Sequence, residues 1–316
     1  MSRLELRAEG VQAVIVPELG GRMLSLRFDG REVLWHDPEL LDDDLQPRHP
    51  ITRPALGSGF AGWQNWGGDK TWPAPQGRPG SGEGWPGPPD GVLDSGEYRI
   101  VEVDRDALVL RSDREPRTGL RIERELRVEP GAVVVRSTVI NDSGPAARWA
   151  AWEVAQFPFD AADLASDRAR IDVRVHGDAP PAVLFDPVGS IGWERDADTV
   201  HVRFAAAVGK LGFPGAAGTV ELVHADGRGV RMSFPVPDAE YADAESADDP
   251  PVQLWMQTPV ERPLPGLEGL SARARYVELE ALSPTRLLEP GDRASLEVRW
   301  EPIDRATRPG SGRLSD

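Results

Sequence analysis

The sequence predicts an all-β fold, an antiparallel sandwich or barrel. Short runs of alternating or β-branched apolar residues recur between turn signals, which is the pattern of many short strands. No segment of about twelve or more residues has the apolar spacing of an amphipathic helix. Neither a fixed-period repeat nor an interdomain linker divides the 316 residues. We therefore expect one domain over residues 1–302 and a disordered tail over residues 303–316.

The amino-terminal part begins with strands and then loses its periodicity. Residues 11–16 and 23–28 are apolar runs, and Asp29-Gly30 is a typical two-residue hairpin turn. From about residue 36 to residue 92, Pro, Gly and Asp interrupt every pattern, and a loop of that length is usually functional or disordered. We interpret residues 63–76 as an ordered loop and residues 80–88 as a flexible flank.

The remainder is a succession of strands with one short helix at residues 160–167 and an acidic, proline-flanked loop at residues 235–251. Turn residues such as Asn, Asp, Gly and Pro separate the strands. The predicted strands are residues 98–103, 107–111, 120–128, 132–140, 149–157, 171–175, 199–204, 219–224, 230–234, 252–258, 275–282 and 293–300.

Composition excludes several classes of partner. The net charge of −16 opposes binding to nucleic acid or to an anionic membrane, and no apolar run approaches the ~20 residues of a membrane span. The absence of cysteine excludes disulfides and thiolate chemistry. The first residues lack the apolar core of a signal peptide, which predicts a cytoplasmic protein. No metal-ligand spacing or phosphate-loop motif is present, so we expect neither a metal nor a cofactor.

The segment at residues 63–76 reads W-Q-N-W-G-G-D-K-T-W-P-A-P-Q and combines flat apolar rings with hydrogen-bonding groups. Such a surface suits a sugar, which has apolar faces and hydroxyl groups. The alternative is that the tryptophans close one end of a sandwich while the polar groups cap turns. The side chains that we expect to contact a ligand are Trp66, Asp69, Trp72 and Gln76.

Lysine is rare in this chain. Lys70 and Lys210 are the two lysines, whereas arginine is abundant. A lysine kept against that background indicates a position that needs a compact, titratable ammonium group. Chance survival of Lys70 is the alternative interpretation.

The predicted strand at residues 275–282 places two carboxylates on one face. Glu278 and Glu280 alternate with Val277, Leu279 and Ala281. Two partly desolvated carboxylates on one face repel each other, and one of them acquires a raised pKa that suits a general base. An outer face in contact with solvent is the alternative.

Two further strands carry polar side chains in an unusual setting. Gln253, Trp255 and Gln257 share one face, which indicates a surface for hydrogen bonding and stacking, or else a tryptophan that shields a sandwich edge. Glu153 lies among small alanines, where a carboxylate has room to act as an acid, a base or a hydroxyl acceptor. A salt bridge to an arginine is the alternative for Glu153.

Seven motifs are spread over nearly the whole chain. They are V-P-E-L-G-G-R-M-L-S-L, W-G-G-D-K-T-W-P-A-P-Q, W-A-A-W-E-V-A-Q, G-K-L-G-F, V-Q-L-W-M-Q-T, V-E-L-E-A-L-S-P and L-L-E-P-G-D. Together they resemble the galactose-mutarotase-like (aldose 1-epimerase-like) superfamily, and they look closest to a bacterial branch of it. The resemblance implies a single large antiparallel β-supersandwich with a sugar-binding concave face.

The resemblance also implies site residues. A mutarotase uses a glutamate near the carboxyl terminus as base and a histidine as acid, and Glu280 in L-E-A-L-S-P falls at the position of that base. Where a mutarotase carries its histidines, this sequence has Trp152 and Glu153 in one segment and Asp69 and Lys70 in the other. The implied assignment makes Glu280 the base and Lys70 or Glu153 the acid or an anchor.

Three functions remain open at this point. The leading prediction is a carbohydrate-active protein that binds a sugar or sugar derivative in a tryptophan-lined site and acts as an aldose 1-epimerase-like isomerase. The second is a non-catalytic carbohydrate-binding or sensing module. The third is a lyase or other tailoring enzyme that acts on a small molecule other than a sugar.

Overall fold

In the computed structural model, the described residues are 1–53, 62–77, 84–236, 250–262, 264–265, 267 and 269–305. They form two large antiparallel sheets, as predicted for an all-β protein. The apolar side chains that alternate along the strands pack between the sheets and form one extensive core. Among the described residues, no helix has the length and apolar character needed to cross a membrane.

The first sheet has 11 strands in the order β1-β2-β3-β5-β10-β19-β18-β15-β12, with β4 paired to β3 and β20 paired to β10. We refer to it as the large sheet. Its strands are β1 (Leu4–Ala8), β2 (Val11–Val16), β3 (Arg22–Phe28), β4 (Arg31–Glu32), β5 (Asp69–Ala74), β10 (Ala147–Pro158), β12 (Ala182–Val188), β15 (Val208–Phe213), β18 (Val252–Gln257), β19 (Tyr276–Leu282) and β20 (Arg286–Leu288).

The second sheet has 10 strands in the order β13-β14-β11-β16-β17-β21-β9-β8-β7-β6. We refer to it as the small sheet. Its strands are β6 (Arg99–Val103), β7 (Ala107–Arg111), β8 (Leu120–Glu129), β9 (Ala132–Asn141), β11 (Arg170–Val175), β13 (Trp193–Asp196), β14 (Thr199–Arg203), β16 (Ala216–Val223), β17 (Arg228–Ser233) and β21 (Arg293–Asp304).

A 3-10 turn spans Pro17–Leu19, and one short helix, α1, spans Ala161–Ala165. The Asp160 side chain caps α1 by accepting hydrogen bonds from the backbone N–H groups of Ala162 and Asp163. The predicted helix at residues 160–167 is therefore confirmed, with a shorter extent. Its small size leaves the two sheets to provide the core.

The main correction concerns β5, which the sequence indicated to be a loop. Residues Asp69–Ala74 form a strand between β3 and β10 in the middle of the large sheet. The strand lacks a hydrophobic alternation because both of its faces are buried and polar side chains on both faces have partners. Strands β12, β13, β15 and β20 were also missed, and β12, β13 and β20 carry mostly exposed side chains.

Three predicted irregular segments lie partly outside the described residues. Of the predicted flexible flank at residues 80–88, the described part contains Trp85, which is fully buried and donates to Asp90 at 2.7 Å. Of the predicted tail at residues 303–316, Ile303 and Asp304 belong to β21, and residues 306–316 lie outside. Residues 237–249 of the acidic loop lie outside as well.

Candidate functional site

Five neighbouring strands of the large sheet bring polar side chains from distant parts of the chain into two rows. The rows lie on the face that is turned away from the small sheet, because the alternate residues Asp69 and Glu153 contact Arg124 of the small sheet. Strand register sets Lys70, Val154, Glu280 and Gln253 side by side in the first row. It sets Gln156, Glu278, Trp255 and Lys210 side by side in the second row.

The two lysines cross between these rows to reach the two glutamates of β19. Lys70 Nζ lies 3.4 Å from Glu278 Oε1, and Lys210 Nζ lies 2.8 Å from Glu280 Oε2. Each ammonium approaches β19 from a different side, since β5 and β15 flank it two strands away. Both lysines of the chain therefore lie in one small region. This is not expected if the two lysines were retained by chance. We call Lys70, Trp152, Gln156, Lys210, Glu278 and Glu280 the lysine–glutamate cluster.

Indole rings support both ammonium groups. Lys70 Nζ lies 4.7 Å from the centre of the Trp72 ring, and Lys210 Nζ lies 4.5 Å from the centre of the Trp152 ring. The two rings meet edge to face, with centroids 5.2 Å apart. A cation over an aromatic face gains electrostatic stabilisation that grows when water is excluded. These contacts compensate in part for the burial of both charges.

Hydrogen bonds orient the two carboxylates but leave acceptors available. Trp152 Nε1 donates to Glu280 Oε2 at 2.8 Å, and Gln156 Nε2 donates to Glu278 Oε1 at 2.7 Å. Within the described part of the chain, Glu280 Oε1 and Gln156 Oε1 are buried without a hydrogen-bond partner. A buried acceptor without a partner is costly, so these two oxygens are natural positions for a hydroxyl donor from a ligand.

Burial shifts two of the charged groups toward neutrality. Burial raises the pKa of the Glu280 carboxyl, and Lys210 only partly offsets this effect. Burial lowers the pKa of the Lys70 ammonium, although the charge of Glu278 acts in the opposite direction. A base with a raised pKa beside an acid with a lowered pKa is the arrangement that transfers protons near neutral pH.

One side of the site is closer to solvent than the other. The Glu280 and Lys70 side chains are 0% and 2% exposed, whereas the Lys210 side chain is 15% exposed. Trp255 is half-buried, and its ring stacks on the exposed Phe185 of β12 with centroids 5.4 Å apart. Lys210, Trp255 and Phe185 therefore form the more exposed end of this region, which we call the rim, and Lys70 and Glu280 form its fully buried end, which we call the floor.

Loops cover the far part of this face. Trp35 packs on the Tyr276 ring at a centroid distance of 4.5 Å, and Asn65 Nδ2 lies 3.3 Å from the Tyr276 hydroxyl. Burial raises the pKa of that hydroxyl, so Tyr276 stays protonated. Loop residues therefore shield this part of the face from solvent.

Two glycines just before β5 allow the chain to pass close to the backbone of neighbouring segments. Gly67 and Gly68 both have positive φ angles, 89° and 76°. A Cβ atom on Gly67 would lie 2.1 Å from the backbone oxygen of Trp35, and one on Gly68 would lie 2.6 Å from that of Met23. Only glycine fits both positions without displacing the backbone. The G-G-D-K segment thus places Lys70 rather than binding a ligand by itself.

Glu153 and Asp69 lie on the opposite face of the large sheet from Lys70 and Glu280. Both point between the sheets, where Arg124 of β8 pairs with Asp69 Oδ1 and, at 2.6 Å, with Glu153 Oε1. Thr71 also donates to Glu153, at 2.7 Å. Burial raises the pKa of the Glu153 carboxyl well above its usual range, despite the opposing charge of Arg124. The salt-bridge alternative for Glu153 describes this arrangement, and the sheet separates Glu153 from the cluster.

Of the remaining residues predicted to contact a ligand, two lie away from the cluster and four share its face. Trp66 packs in a separate apolar cluster with Val16, Leu19, Leu24 and Leu41. Gln76 is exposed and forms a bridge with Trp85 beyond the end of β5. Trp72, Gln253, Trp255 and Gln257 do share the face of the lysine–glutamate cluster, and Trp72 Nε1 donates to Asp94 at 3.0 Å.

Sequence reasoning missed Lys210, Trp152 and Gln156 as members of this site. The rarity of lysine was the available signal for Lys210, because the same observation that singled out Lys70 applied to it. The pairing of Trp152 with Glu280 had no signal, since it depends on the register of β10 against β19. None of the five histidines of the sequence belongs to the cluster; His201 and His224, for example, pair with Asp172 and Asp163 on other elements.

Comparisons with known proteins agree with this architecture. Residues 1–182 match the family model described as "Domain of unknown function (DUF4380)". No curated protein matches the sequence. The structure is similar to a galactose mutarotase-like protein from Lactobacillus casei, with a TM-score of 0.60, 12% identity and coverage of 95% of this chain and 100% of that one.

Two further structures are similar. The galactose mutarotase related enzyme from Lactobacillus acidophilus has a TM-score of 0.53 at 11% identity, with 97% and 98% of the two chains covered. A TPR-domain containing protein from Parabacteroides distasonis has a TM-score of 0.58 at 16% identity, with 99% of this chain and 50% of that one covered. The fold is therefore a galactose mutarotase-like β-sandwich, as the resemblance predicted, and at these identities the similarity shows the fold alone.

Proposed function

The chain belongs to the family described as a domain of unknown function (DUF4380), and we propose that it binds a sugar or sugar derivative at the lysine–glutamate cluster and interconverts its anomers. The observation that carries this proposal is that both lysines pair with the two glutamates of β19, beside a buried Glu280 oxygen without a partner. Structurally similar proteins are described as galactose mutarotase-like, which favours a sugar among small polar ligands.

Recognition of a sugar needs both stacking and hydrogen bonds. Trp255 offers a half-buried ring next to Phe185 at the rim, and one face of a pyranose is apolar enough to pack on it. Gln156 Oε1 and Glu280 Oε1 accept hydrogen bonds from ligand hydroxyls. Gln253, beside Glu280 in the register, adds a side-chain amide at the floor.

The proposed reaction is a paired proton transfer. Glu280 takes the proton of the anomeric hydroxyl, and Lys70 gives a proton to the ring oxygen. The bond between the anomeric carbon and the ring oxygen breaks, which leaves an open-chain aldehyde. After rotation of the aldehyde, both protons return in reverse and the ring closes as the other anomer. Lys210 keeps Glu280 in place at 2.8 Å, so we assign it a positioning role.

Spacing supports Glu280 and Lys70 as the acting pair. Glu278 and Glu280 are two residues apart on one face of a strand, which separates their Cα atoms by about 7 Å. Lys70 Nζ reaches Glu278, and the strand register places Lys70 and Glu280 in the same row on this face. Glu153, which the resemblance offered as another acid, has no part in this proposal because it points between the sheets.

A second candidate function is sugar binding without catalysis. The observation that favours it is that each lysine is already paired with a glutamate and that the cluster lacks a histidine. A buried salt bridge can hold a ligand-binding surface in one geometry without transferring protons. Measurement of turnover distinguishes the two candidates.

The test is proton NMR of anomer exchange in glucose and galactose at high protein concentration. We expect the wild-type protein to accelerate exchange, and Glu280→Gln to reduce the acceleration by roughly 10²–10⁴ because it removes the general base. Glu297→Gln on the exposed face of β21 is the matched control and should leave the rate unchanged. Saturable tryptophan-fluorescence changes without accelerated exchange would replace the isomerase proposal by the binding module, and absence of both would exclude both for these sugars.

A further inference from the structure

A cavity lies at one end of the sandwich and shares no residue with the lysine–glutamate cluster. Its volume is about 540 Å³, which is within the range of small-molecule sites. It opens between the turn that joins β3 to β4, the helix α1, the turn that joins β16 to β17, and the end of β21. Its walls therefore consist of residues from four elements that are distant in the sequence.

The deep walls of this cavity are aromatic and apolar. Phe28, Phe157 and Phe159 line it and are at most 4% exposed, and Val230 and Ile303 complete the apolar part. Phe159 is held in place by stacking on Phe204, with ring centroids 5.0 Å apart. Such walls bury the body of an apolar or aromatic ligand, and the faces of their rings attract a cation.

The charged groups of the lining are strongly unbalanced. Six carboxylates line the cavity against two arginines, and Arg27 beside the lining pairs with Glu32 at 3.4 Å, which leaves an excess of three negative charges when the histidine is neutral. Arg31 is already paired with Asp226 at 2.9 Å, and Arg228 lies 4.0 Å from Asp304. The net field therefore favours a positive ligand and opposes a negative one. The six carboxylates belong to Asp29, Glu32, Asp160, Asp163, Asp226 and Asp304.

A histidine with a defined tautomer completes the lining. His224 Nδ1 lies 2.9 Å from Asp163 Oδ2, and Asp163 Oδ1 accepts the backbone N–H of Ala225 at 2.8 Å. Since the carboxylate accepts, Nδ1 carries the proton in neutral His224, and Nε2 carries the lone pair. The ring is also fixed by parallel stacking on Phe204. In this neutral form, His224 offers an acceptor at Nε2, which suits an N–H donor on the ligand.

We infer that this cavity binds a small organic cation, an ammonium group attached to an apolar or aromatic body. The body packs on Phe28, Phe157 and Phe159, and the ammonium group lies toward the carboxylates and His224 Nε2. The inference is independent of the proposed sugar chemistry, because it rests on another part of the molecule.

The experiment measures binding of three probes of similar shape by isothermal titration calorimetry and ligand-detected NMR. The probes are benzylamine, which is cationic at pH 7, benzyl alcohol, which is neutral, and benzoate, which is anionic. We expect saturable binding of benzylamine, at least roughly tenfold tighter than that of benzyl alcohol and weakened by added salt, and no binding of benzoate.

Two variants locate the probe in the cavity. Ala162→Trp fills the space next to α1 and should abolish benzylamine binding. Asp160→Asn combined with Asp29→Asn removes two charges while asparagine keeps the cap of α1, and it should weaken binding of the amine severalfold without affecting the alcohol. Glu280→Gln is the control, with benzylamine binding unchanged.

Several outcomes would overturn the inference. They are equal affinities for the amine and the alcohol, absence of saturable amine binding, and unchanged amine affinity in the double asparagine variant. If the Ala162→Trp variant folds and binds benzylamine as the wild-type protein does, the probe binds outside this cavity and the inference is overturned. The double asparagine variant preserves the cap of α1, so we expect it to fold. It therefore tests the inference even if Ala162→Trp fails to fold.

Discussion

Replacement of Lys70 by methionine tests whether the lysine–glutamate pairs are energetically coupled. Methionine has a similar length and no charge, so Lys70→Met leaves the packing against Trp72 largely intact while removing the partner of Glu278. At the observed separation of 3.4 Å, the attraction between the two charges is about 5 kcal/mol at an effective dielectric constant of about 20. Desolvation of both groups offsets much of this gross value.

The net cost of the substitution should nevertheless be large. Removing one partner of a buried ion pair costs about 3–5 kcal/mol because the other charge stays buried. Glu278 keeps its hydrogen bond from Gln156 and its side chain is 10% exposed, which places the expected loss at the lower end, about 3 kcal/mol. The double variant Lys70→Met/Glu278→Gln should recover about 2 kcal/mol of this loss, since no uncompensated charge remains.

The assay is urea unfolding at pH 7, followed by tryptophan fluorescence and circular dichroism, for the wild-type protein, both single variants and the double variant. Arg231→Met is the matched control, because Arg231 pairs with Glu221 across neighbouring strands at the surface and should cost about 0–1 kcal/mol. A loss below about 0.5 kcal/mol for Lys70→Met, or strict additivity in the double variant, would refute the reasoning.

Three further changes test other parts of the structure by the same unfolding assay. Arg124→Met should cost about 3–5 kcal/mol, because it leaves Asp69 and Glu153 buried between the sheets without their shared cation, and a loss below 1 kcal/mol would contradict this. Burial raises the pKa of the Asp37 carboxyl to about 6, so ionisation of Asp37 lowers the stability of the native state as pH rises from about 4 to 6. Asp37→Asn removes this ionisation. It should therefore raise the free energy of unfolding by about 1–2 kcal/mol at pH 7 and leave it unchanged at pH 4. Gly67→Ala should destabilise by more than about 2 kcal/mol, since its Cβ would lie 2.1 Å from a backbone oxygen, and native-like stability would show that the loop rearranges freely.

Much of the strand content followed from local patterns. In β8 the apolar residues alternate with charged ones. The structure buries the apolar residues, together with Arg124 in the same register, and leaves the other charged residues half-exposed. The same reasoning correctly placed Glu278 and Glu280 on one face of β19 and Gln253, Trp255 and Gln257 on one face of β18. Solvation of Glu278 and Glu280 was the open alternative, and the structure shows both buried.

Local patterns failed where a strand is buried on both faces. The polar residues of β5 obscured it, because Asp69 and Lys70 are acceptable in a central strand only through partners on β8 and β19. Nothing near Glu153 in the sequence indicates that Arg124 lies opposite it. The sequence does not show which face of β10 packs on the small sheet. For that reason Glu153 was wrongly grouped with Lys70 and Glu280, which lie on the other face of the large sheet.

The sequence by itself determined the strand-rich architecture and the rarity of lysine, because alternation and composition are properties of neighbouring residues and of counts. Tertiary structure alone decided that Lys70 and Lys210, 140 positions apart in the numbering, reach two glutamates of one strand. The physical reason is that antiparallel pairing sets β5, β10, β19, β18 and β15 side by side, and a shift of one residue in any register would turn these side chains to the other face.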